Sequence, residues 1–322
     1  MADLTDQEAL LQQVRQALQQ VRQALQNENY EQAISGLLQS TELARAMHDP
    51  AAEGRHLGNL ALIYYRTKQP DLALQCFERA LILARAENDR LTEDGILGNM
   101  GNIVRELGRY DEAITYLNQA LLIAQEIGDT RGRGIWLSNL GLVYDDLRRF
   151  DEAIDVHRES VNVARVMRDQ RSLVARLSNQ GNSHLAKGQY TEAIKCFHEV
   201  VSLYKTLGNT AGAALRLGII GNIYNDLGRN ANTDFEARFY YELARDTYTE
   251  TIKLAKEVGD TVAEGDLLTS LGTVYGNMGE YQEAVNQFTT AHQLFTQLQL
   301  ADRLTYVEEN LRIAHNLLAQ VR

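Results

Sequence analysis

The residues with the clearest chemical meaning in this sequence are asparagines that recur at intervals of 40 residues. They stand at Asn59, Asn99, Asn139 and Asn179, with a second set three residues further along at Asn102, Asn182 and Asn222. A spacing of three places both sets on one face of a helix. A carboxamide both donates and accepts hydrogen bonds, so it can pair with the N–H and C=O groups of an extended peptide. The pattern indicates either peptide binding or hydrogen bonding between neighbouring helices.

Small residues precede the first set of asparagines, and they leave room for a ligand backbone to approach. They are Gly58, Gly98, Ser138, Ser178 and Gly218. In the fifth copy Ile219 replaces the asparagine, which predicts that the ladder ends there. The stretch from Arg55 to Asn182 is therefore the best-supported binding surface. Trp136, the only tryptophan, lies three residues before Asn139, and we expect it to be buried between helices rather than to stack on a ligand.

No constellation typical of an enzyme accompanies the asparagines. The sequence lacks a phosphate loop, a nucleophile elbow and a Cys-x-x-Cys pair, and no two histidines have the spacing of a zinc site. His157 and His184 stand where other copies carry an aromatic residue, so we expect them to pack rather than to ligate. We predict no catalytic activity, no cofactor and no metal.

The asparagines belong to strings that return throughout the chain. Variants of Leu-Gly-Asn-x-Gly-Asn-Ile-Tyr start at Leu57, Leu97, Leu137, Leu177, Leu217 and Leu268. The last spacing is 51 residues, so 11 extra residues lie before the sixth copy. A second signature, Tyr-Asp-Glu-Ala-Ile and its variants, keeps the same register. A fixed period of this length predicts a solenoid built from one supersecondary unit.

One repeat predicts a pair of helices. Asp89 is suited to cap a helix that runs to about Leu107, where Gly108 ends it through a positive φ. Tyr110 opens a second helix, which Gly128 closes. The equivalent caps are Asp49, Asp129, Asp169, Asn209 and Asp260. Gly101 and Ala113 supply facing small residues, so the two backbones approach closely.

These positions resemble the tetratricopeptide repeat. The residues that match the family's pattern are Leu57, Leu60, Ala61, Tyr64, Ala73, Phe77 and Ala80. The resemblance implies an all-α fold, a right-handed α-solenoid of antiparallel hairpins. The usual repeat has about 34 residues, so the extra residues should lengthen the second helix and its turn. The repeat sequence is similar to that of Pins-type spindle-orientation adaptors and, less closely, to that of kinesin light chains. Both groups are peptide-binding scaffolds.

In this family the asparagine-bearing face lines a concave groove, so the resemblance implies that the asparagines form a ladder there. The same assignment of repeat positions to the groove places basic and aromatic residues near its N-terminal end, namely Arg55, Tyr65, Arg66 and Arg105. It places Asp145, Asp146 and Asp226 further along the groove. The guanidinium group of an arginine can donate two parallel hydrogen bonds to one carboxylate. The groove is then polarised and favours acidic partners; the alternative is an ordinary mixed surface.

The repeats predict a single solenoid domain of about seven hairpins over residues 1–322. Residues 1–48 form a degenerate capping repeat, 49–228 the regular repeats, 229–240 an insertion, 241–299 the last repeats and 300–322 a capping helix. The heptads VRQALQQ and VRQALQN in the first repeat suit a polar cap or a short coiled-coil dimer. The insertion is either a longer loop with an early start of the next helix or a projecting element that contacts a partner.

Composition excludes several classes of protein. The net charge of −11 over 322 residues argues against a nonspecific nucleic-acid binder, which needs a basic surface. The sequence contains no run of 18 apolar residues, so we predict no membrane span. The first residues lack the features of a signal peptide. Cys76 and Cys196 lie three repeats apart, too far for a disulfide, and two reduced thiols suit the cytoplasm.

We therefore expect a cytoplasmic, non-enzymatic scaffold or adaptor that binds a peptide or helix of another protein in its groove. Self-association through the first helix is a further hypothesis from the sequence. A second hypothesis is a regulatory sensor that changes its superhelical shape on binding a ligand and acts on a separate output protein. An enzymatic function is the third and has no motif to support it.

Overall fold

The computed structural model describes residues 2–321, with side chains for residues 9–321. The described chain is entirely helical, as the repeats predict, with fourteen helices in seven hairpins and one further helix. The helices are α1 (Ala2–Gln26), α2 (Tyr30–Ala46), α3 (Pro50–Arg66), α4 (Pro70–Ala86), α5 (Arg90–Glu106), α6 (Tyr110–Ile127), α7 (Thr130–Asp146), α8 (Phe150–Val166), α9 (Gln170–Ala186), α10 (Tyr190–Thr206), α11 (Thr210–Arg229), α12 (Asp234–Glu257), α13 (Thr261–Asn277), α14 (Tyr281–Leu298) and α15 (Ala301–Val321).

Short turns with a residue of positive φ separate the helices, except between α11 and α12. Gly108 has a φ of 76° and Gly128 a φ of 71°, which confirms both predicted helix ends. Each predicted aspartate or asparagine cap for which a bond is seen accepts from the backbone N–H three residues later. These caps are Asp49, Asp89, Asp129, Asn209 and Asp260. The caps satisfy N–H groups that have no partner inside the helix.

The helices within a repeat have equal or nearly equal lengths. α3, α4 and α5 each contain 17 residues and α6 contains 18. The expectation that the longer repeat would extend mainly the second helix is therefore wrong. Each helix occupies half of the 40-residue period, because a turn with positive φ recurs about every 20 residues from Glu28 to Gly208.

Glycine in five of the first helices (α5, α7, α9, α11 and α13) allows the second helix to pack closely. A Cβ added at Gly101 would lie 2.7 Å from the Leu117 side chain, so the predicted close approach of α5 and α6 is confirmed. At Gly141 the group that fills this space is the ring of His157, at 2.4 Å from the added Cβ. His157 is fully buried, as predicted for a packing residue.

The chain divides into two compact units, Met1–Asp169 and Gln170–Arg322. The first holds α1–α8 and the second holds α9–α15. In the first unit α3 contacts α5 and α5 contacts α7, whereas no described contact joins successive second helices. In the second unit α11 contacts α13 and α13 contacts α15. The first helices therefore form the inner row of each unit, and we call the surface of α3, α5 and α7, or of α11, α13 and α15, its inner face.

The terminal helices cover apolar surface at the ends of the chain. In α1, Ala17, Val21 and Ala24 are buried, and the latter two share a core with Leu37 of α2. In α15, Val307 and Ala314 are buried against the core of the second unit. The capping roles of both helices stay predictions. Self-association through α1 stays a prediction.

The insertion is absorbed mainly by the helices beside it. α11 continues to Arg229, the linker spans 230–233, and Thr233 caps α12 by accepting from Glu236 N over 3.1 Å. The result matches a longer connection with an early start of the next helix. Phe235 and Phe239 remain exposed on its first turns. No described helix has the length and apolar character needed to cross a bilayer.

Candidate functional site

The inner face of the first unit carries a hydrogen-bond network that joins α3 to α5. Asn102 Nδ2 donates to the Tyr65 hydroxyl over 3.1 Å, and that hydroxyl donates to the Glu106 carboxylate. Burial, followed by the bond to Glu106, raises the pKa of Tyr65 to about 12. Asn102 and Tyr65, both predicted to bind a ligand, thus hold neighbouring repeats together.

The predicted basic end of this face is largely engaged within the protein. Arg105 Nη1 donates to Asp146 Oδ2 over 2.9 Å. Arg66 Nη2 donates to the Tyr30 hydroxyl over 2.9 Å and lies above the Tyr30 ring. Arg55 is exposed and forms neither a hydrogen bond nor an ion pair with a described residue. An internal ion pair therefore neutralises Arg105, whereas Arg66 is held by a neutral side chain and keeps its charge.

The predicted acidic residue Asp145 supports a buried side chain. Its Oδ2 lies 3.0 Å from Nε2 of His157, which packs beneath Gly141. Asp145 remains partly exposed at the inner face. Its position is fixed by contact with the second helix of its own hairpin, so it is a rigid feature of this surface.

The asparagine ladder is not chemically uniform. Asn99 Nδ2 donates to the Gly95 carbonyl of its own helix over 2.8 Å. Asn222 Oδ1 accepts from the Tyr248 hydroxyl over 2.6 Å. The carboxamides that form no hydrogen bond with any described residue are Asn59, Asn139 and Asn182. Part of the ladder thus joins helices and part is available to a ligand; Asn179 lies in a cavity described below.

The space expected beside the ladder is filled at one predicted position. A Cβ at Gly98 would lie 2.4 Å from the Trp136 ring, so no ligand backbone fits there. Trp136 is buried, as predicted, and its indole N–H donates to Asp94 Oδ1 over 2.8 Å. Burial raises the pKa of Asp94 to about 6. Gly58, by contrast, has no atom within 4 Å of an added Cβ.

The inner face of the second unit contains two adjoining cavities. One, of about 300 Å³, lies between α11, α12 and α13 and is mostly apolar, with Leu215, Ile219 and Leu267 in its wall. The other, of about 520 Å³, is polar and extends to α15. Both cavities are lined by Asn222, Asp266 and Ser270.

The polar cavity carries side chains of both charges. Arg303 Nε and Nη2 donate to the two oxygens of Asp266 over 2.8 and 3.1 Å, which joins α15 to α13. Further lining residues are Asn225, Arg229, Thr269, Thr273, Asp302 and Tyr306. The cavity therefore offers donors and acceptors directly beside an apolar space, which is the usual character of a ligand site.

Asn222, a predicted site residue, lines both cavities, but the sequence prediction went no further along the chain. Ser270 and Thr273 stand 51 residues after Ile219 and Asn222, so they occupy the two ladder positions with hydroxyls in place of carboxamides. Alignment of the sixth repeat with the fifth could have identified these two residues from the sequence. Within the described residues no group of three metal-ligating side chains occurs.

Family models identify the repeats. Tetratricopeptide repeat models match residues 57–91, 93–165 and 174–207, and a model of anaphase-promoting complex subunit 5 matches 233–264. The chain therefore contains tetratricopeptide repeats, which confirms the resemblance at that level. No curated protein matches the sequence.

Solved structures share the fold at low sequence identity. The apo form of RapI is 13% identical, covers 96% of this chain and 98% of its own, and has a TM-score of 0.62. The Pyrococcus horikoshii signal transduction ATPase with a tetratricopeptide repeat sensor is 16% identical over 89% of this chain and 43% of its own, with a TM-score of 0.54. A kinesin light chain from Podosopora anserina is 15% identical over 63% and 94%, with a TM-score of 0.50. These likenesses show the fold alone, and the finer likeness to Pins-type adaptors stays a prediction.

Proposed function

We propose that this protein is a non-enzymatic interaction module that binds a peptide or helical segment of a partner protein on its inner faces. The observation that carries the proposal is the pair of adjoining cavities in the second unit. A mostly apolar space of about 300 Å³ meets a polar one at Asn222, Asp266 and Ser270. An apolar side chain of the partner occupies the first cavity, while its backbone pairs with the polar groups of the second.

The unpaired carboxamides of the ladder extend this mode of binding. Asn59 and Asn139 project from the inner face of the first unit, and Asn182 lies on α9 of the second. None of the three forms a hydrogen bond to a described residue, so a ligand can pair with them without breaking the fold. Cys76 and Cys196 are not joined in a disulfide, which suits the cytoplasm as the working compartment.

The test begins with a partner isolated by affinity capture and a measurement of its dissociation constant with the purified full chain. Ser270→Arg places a long side chain where the two cavities meet and should weaken binding at least about tenfold. Leu122→Glu, on the exposed surface of second helix α6, is the matched control and should leave affinity unchanged. Equal affinity of the Ser270→Arg variant, with an intact circular dichroism spectrum, would exclude these cavities as the binding site.

A sensor is the second candidate function, and the likeness to the tetratricopeptide repeat sensor of the Pyrococcus horikoshii ATPase favours it. A sensor changes its dimensions on binding a ligand and passes that change to a separate output protein. Small-angle scattering with and without the isolated partner segment separates the two functions. A rigid scaffold keeps its radius of gyration, whereas a sensor does not.

A further inference from the structure

A slot between successive repeats is filled in the first unit by a tryptophan. Trp136 of α7 lies over Gly98 of α5, and its N–H donates to Asp94. The slot therefore has three positions: the inserted side chain, a small residue beneath it and an acceptor beside it. All three are contributed by first helices of neighbouring repeats.

The repeat register assigns different residues to the same slot in the second unit. Eighty residues after Trp136, Gly98 and Asp94 stand Arg216, Ser178 and Val174. These three residues all line one cavity of about 630 Å³ between α9, α10 and α11. A cation thus replaces the indole, and an apolar side chain replaces the carboxylate that would have paired with it.

The positive charge of Arg216 has no internal counter-ion. Its guanidinium carbon lies 5.5 Å from the centroid of the buried Phe197 ring, and its buried Nε forms no hydrogen bond with a described residue. No aspartate or glutamate lines the cavity, which also contains Arg171. Neither arginine forms an ion pair within the described part of the chain. A buried donor without an acceptor is costly, so the slot favours an anion from outside.

We propose that this cavity is a carboxylate-binding site for an acidic group of the partner peptide. The carboxylate takes the place that Asp94 holds beside Trp136 and accepts from the Arg216 fork, while Arg171 adds positive charge. A planar, singly charged carboxylate matches one guanidinium fork. Val174 and Leu207 give the cavity an apolar wall beside that pair. This inference rests on the proposed function, since it describes one chemical feature of the same partner.

The first test follows the Arg216 Nε–Hε signal by NMR in the full chain, assigned by its loss in Arg216→Lys. Acetyl-Asp-Glu-amide should shift this signal saturably, and acetyl-Asn-Gln-amide should not. Acetyl-Asn-Gln with a free C-terminus tests whether a terminal carboxylate is the preferred source. Absence of a saturable shift with every carboxylate, or a shift with inorganic phosphate alone, overturns the proposal.

The second test restores an internal counter-ion. Val174→Asp supplies the carboxylate that the equivalent slot has at Asp94, so it should abolish the shift caused by acetyl-Asp-Glu-amide. Arg216→Lys keeps the charge but loses the fork and should weaken affinity for the isolated partner about tenfold. Arg245→Gln, whose arginine pairs with Asp246 outside the cavity, is the control.

The two proposals fail in different ways. Loss of partner affinity in Ser270→Arg with unchanged affinity in Arg216→Lys overturns the carboxylate site and leaves the peptide-binding function intact. Unchanged affinity in both variants overturns both. If Val174→Asp does not fold, Arg216→Lys and the NMR titration of the native chain still decide the matter.

Discussion

The indole N–H of Trp136 donates a hydrogen bond to Asp94 Oδ1 over 2.8 Å, and this bond joins two first helices that are 42 residues apart in sequence. Trp136 is the only tryptophan, so its fluorescence reports on this one contact. Asp94 is almost fully buried and has no cationic partner among the described residues. The pair therefore combines a structural contact between repeats with a titratable group.

Stability should fall as this carboxyl ionises. Burial raises the pKa of Asp94 from 3.8 to about 6, so the folded protein binds the proton more tightly than the unfolded chain does. The contribution of Asp94 to the free energy of unfolding therefore decreases as the pH rises from about 4 through about 6. Trp136 fluorescence of the native protein should change with a midpoint near the same pH.

Asp94→Asn tests this assignment, because an asparagine Oδ1 still accepts from the indole but carries no charge. The variant should lose the fluorescence transition and show a flatter pH dependence of unfolding by urea over the same range. A variant with the same fluorescence midpoint as the native protein would mean that another group is responsible.

Gly98→Ala and Gly58→Ala should have opposite effects on stability, although the two glycines occupy the same repeat position. A methyl group at Gly98 would collide with the Trp136 ring, which should destabilise the protein by about 1–3 kcal/mol. At Gly58 nothing lies within 4 Å, so alanine should stabilise its helix by about 0.5–1 kcal/mol. Urea unfolding measures both changes, and destabilisation of equal size in the two variants would contradict the packing described here.

Tyr65→Phe should lower the free energy of unfolding by about 1 kcal/mol. The variant removes the hydroxyl that accepts from Asn102 and donates to Glu106, so both α5 side chains lose their contact with α3. Tyr190→Phe is the control, because the Tyr190 hydroxyl bonds to no described residue. Thermal and urea unfolding measure the difference, and equal stability of the two variants would show that the network contributes nothing.

Asn222→Ala and Asn182→Ala separate the two roles of the ladder. Asn222 accepts from the Tyr248 hydroxyl, which is buried, so its removal should destabilise the protein by about 1 kcal/mol or more. Asn182 is exposed and unbonded to any described residue, so Asn182→Ala should leave stability unchanged and weaken only partner binding. Destabilisation by Asn182→Ala would assign that side chain to the fold instead.

The hairpins were predictable because their signals are local and repeated. Asp89 caps α5 through a hydrogen bond to a backbone three residues away, and Gly108 ends the helix through its own φ. Agreement among several copies then compensated for the weakness of each signal. The length of the second helix was predicted wrongly, because the family's shorter repeat does not say which helix takes the additional residues.

The candidate site was less predictable, because each side chain's partner lies in another repeat. Nothing near Asn102 in sequence indicates Tyr65, which is 37 residues away, and nothing near Gly98 indicates Trp136. The asparagine pattern is also interrupted at Ile219, although the two adjoining cavities continue past this residue to α13 and α15. Ile219 lines the apolar cavity, so the substitution that seemed to end the site instead provides its apolar wall.

By itself, the sequence determined the helical pairs, their caps and turns and the packing glycines, since these depend on neighbours along the chain or on the recurring 40-residue spacing. Only the tertiary structure decided which polar side chains remain available. Arg105 and Arg216 are both arginines on first helices, yet Asp146 pairs with Arg105 while Val174 and Ser178 line the cavity of Arg216. The charge of a side chain is encoded in one residue, but whether that charge is satisfied depends on what packing places beside it.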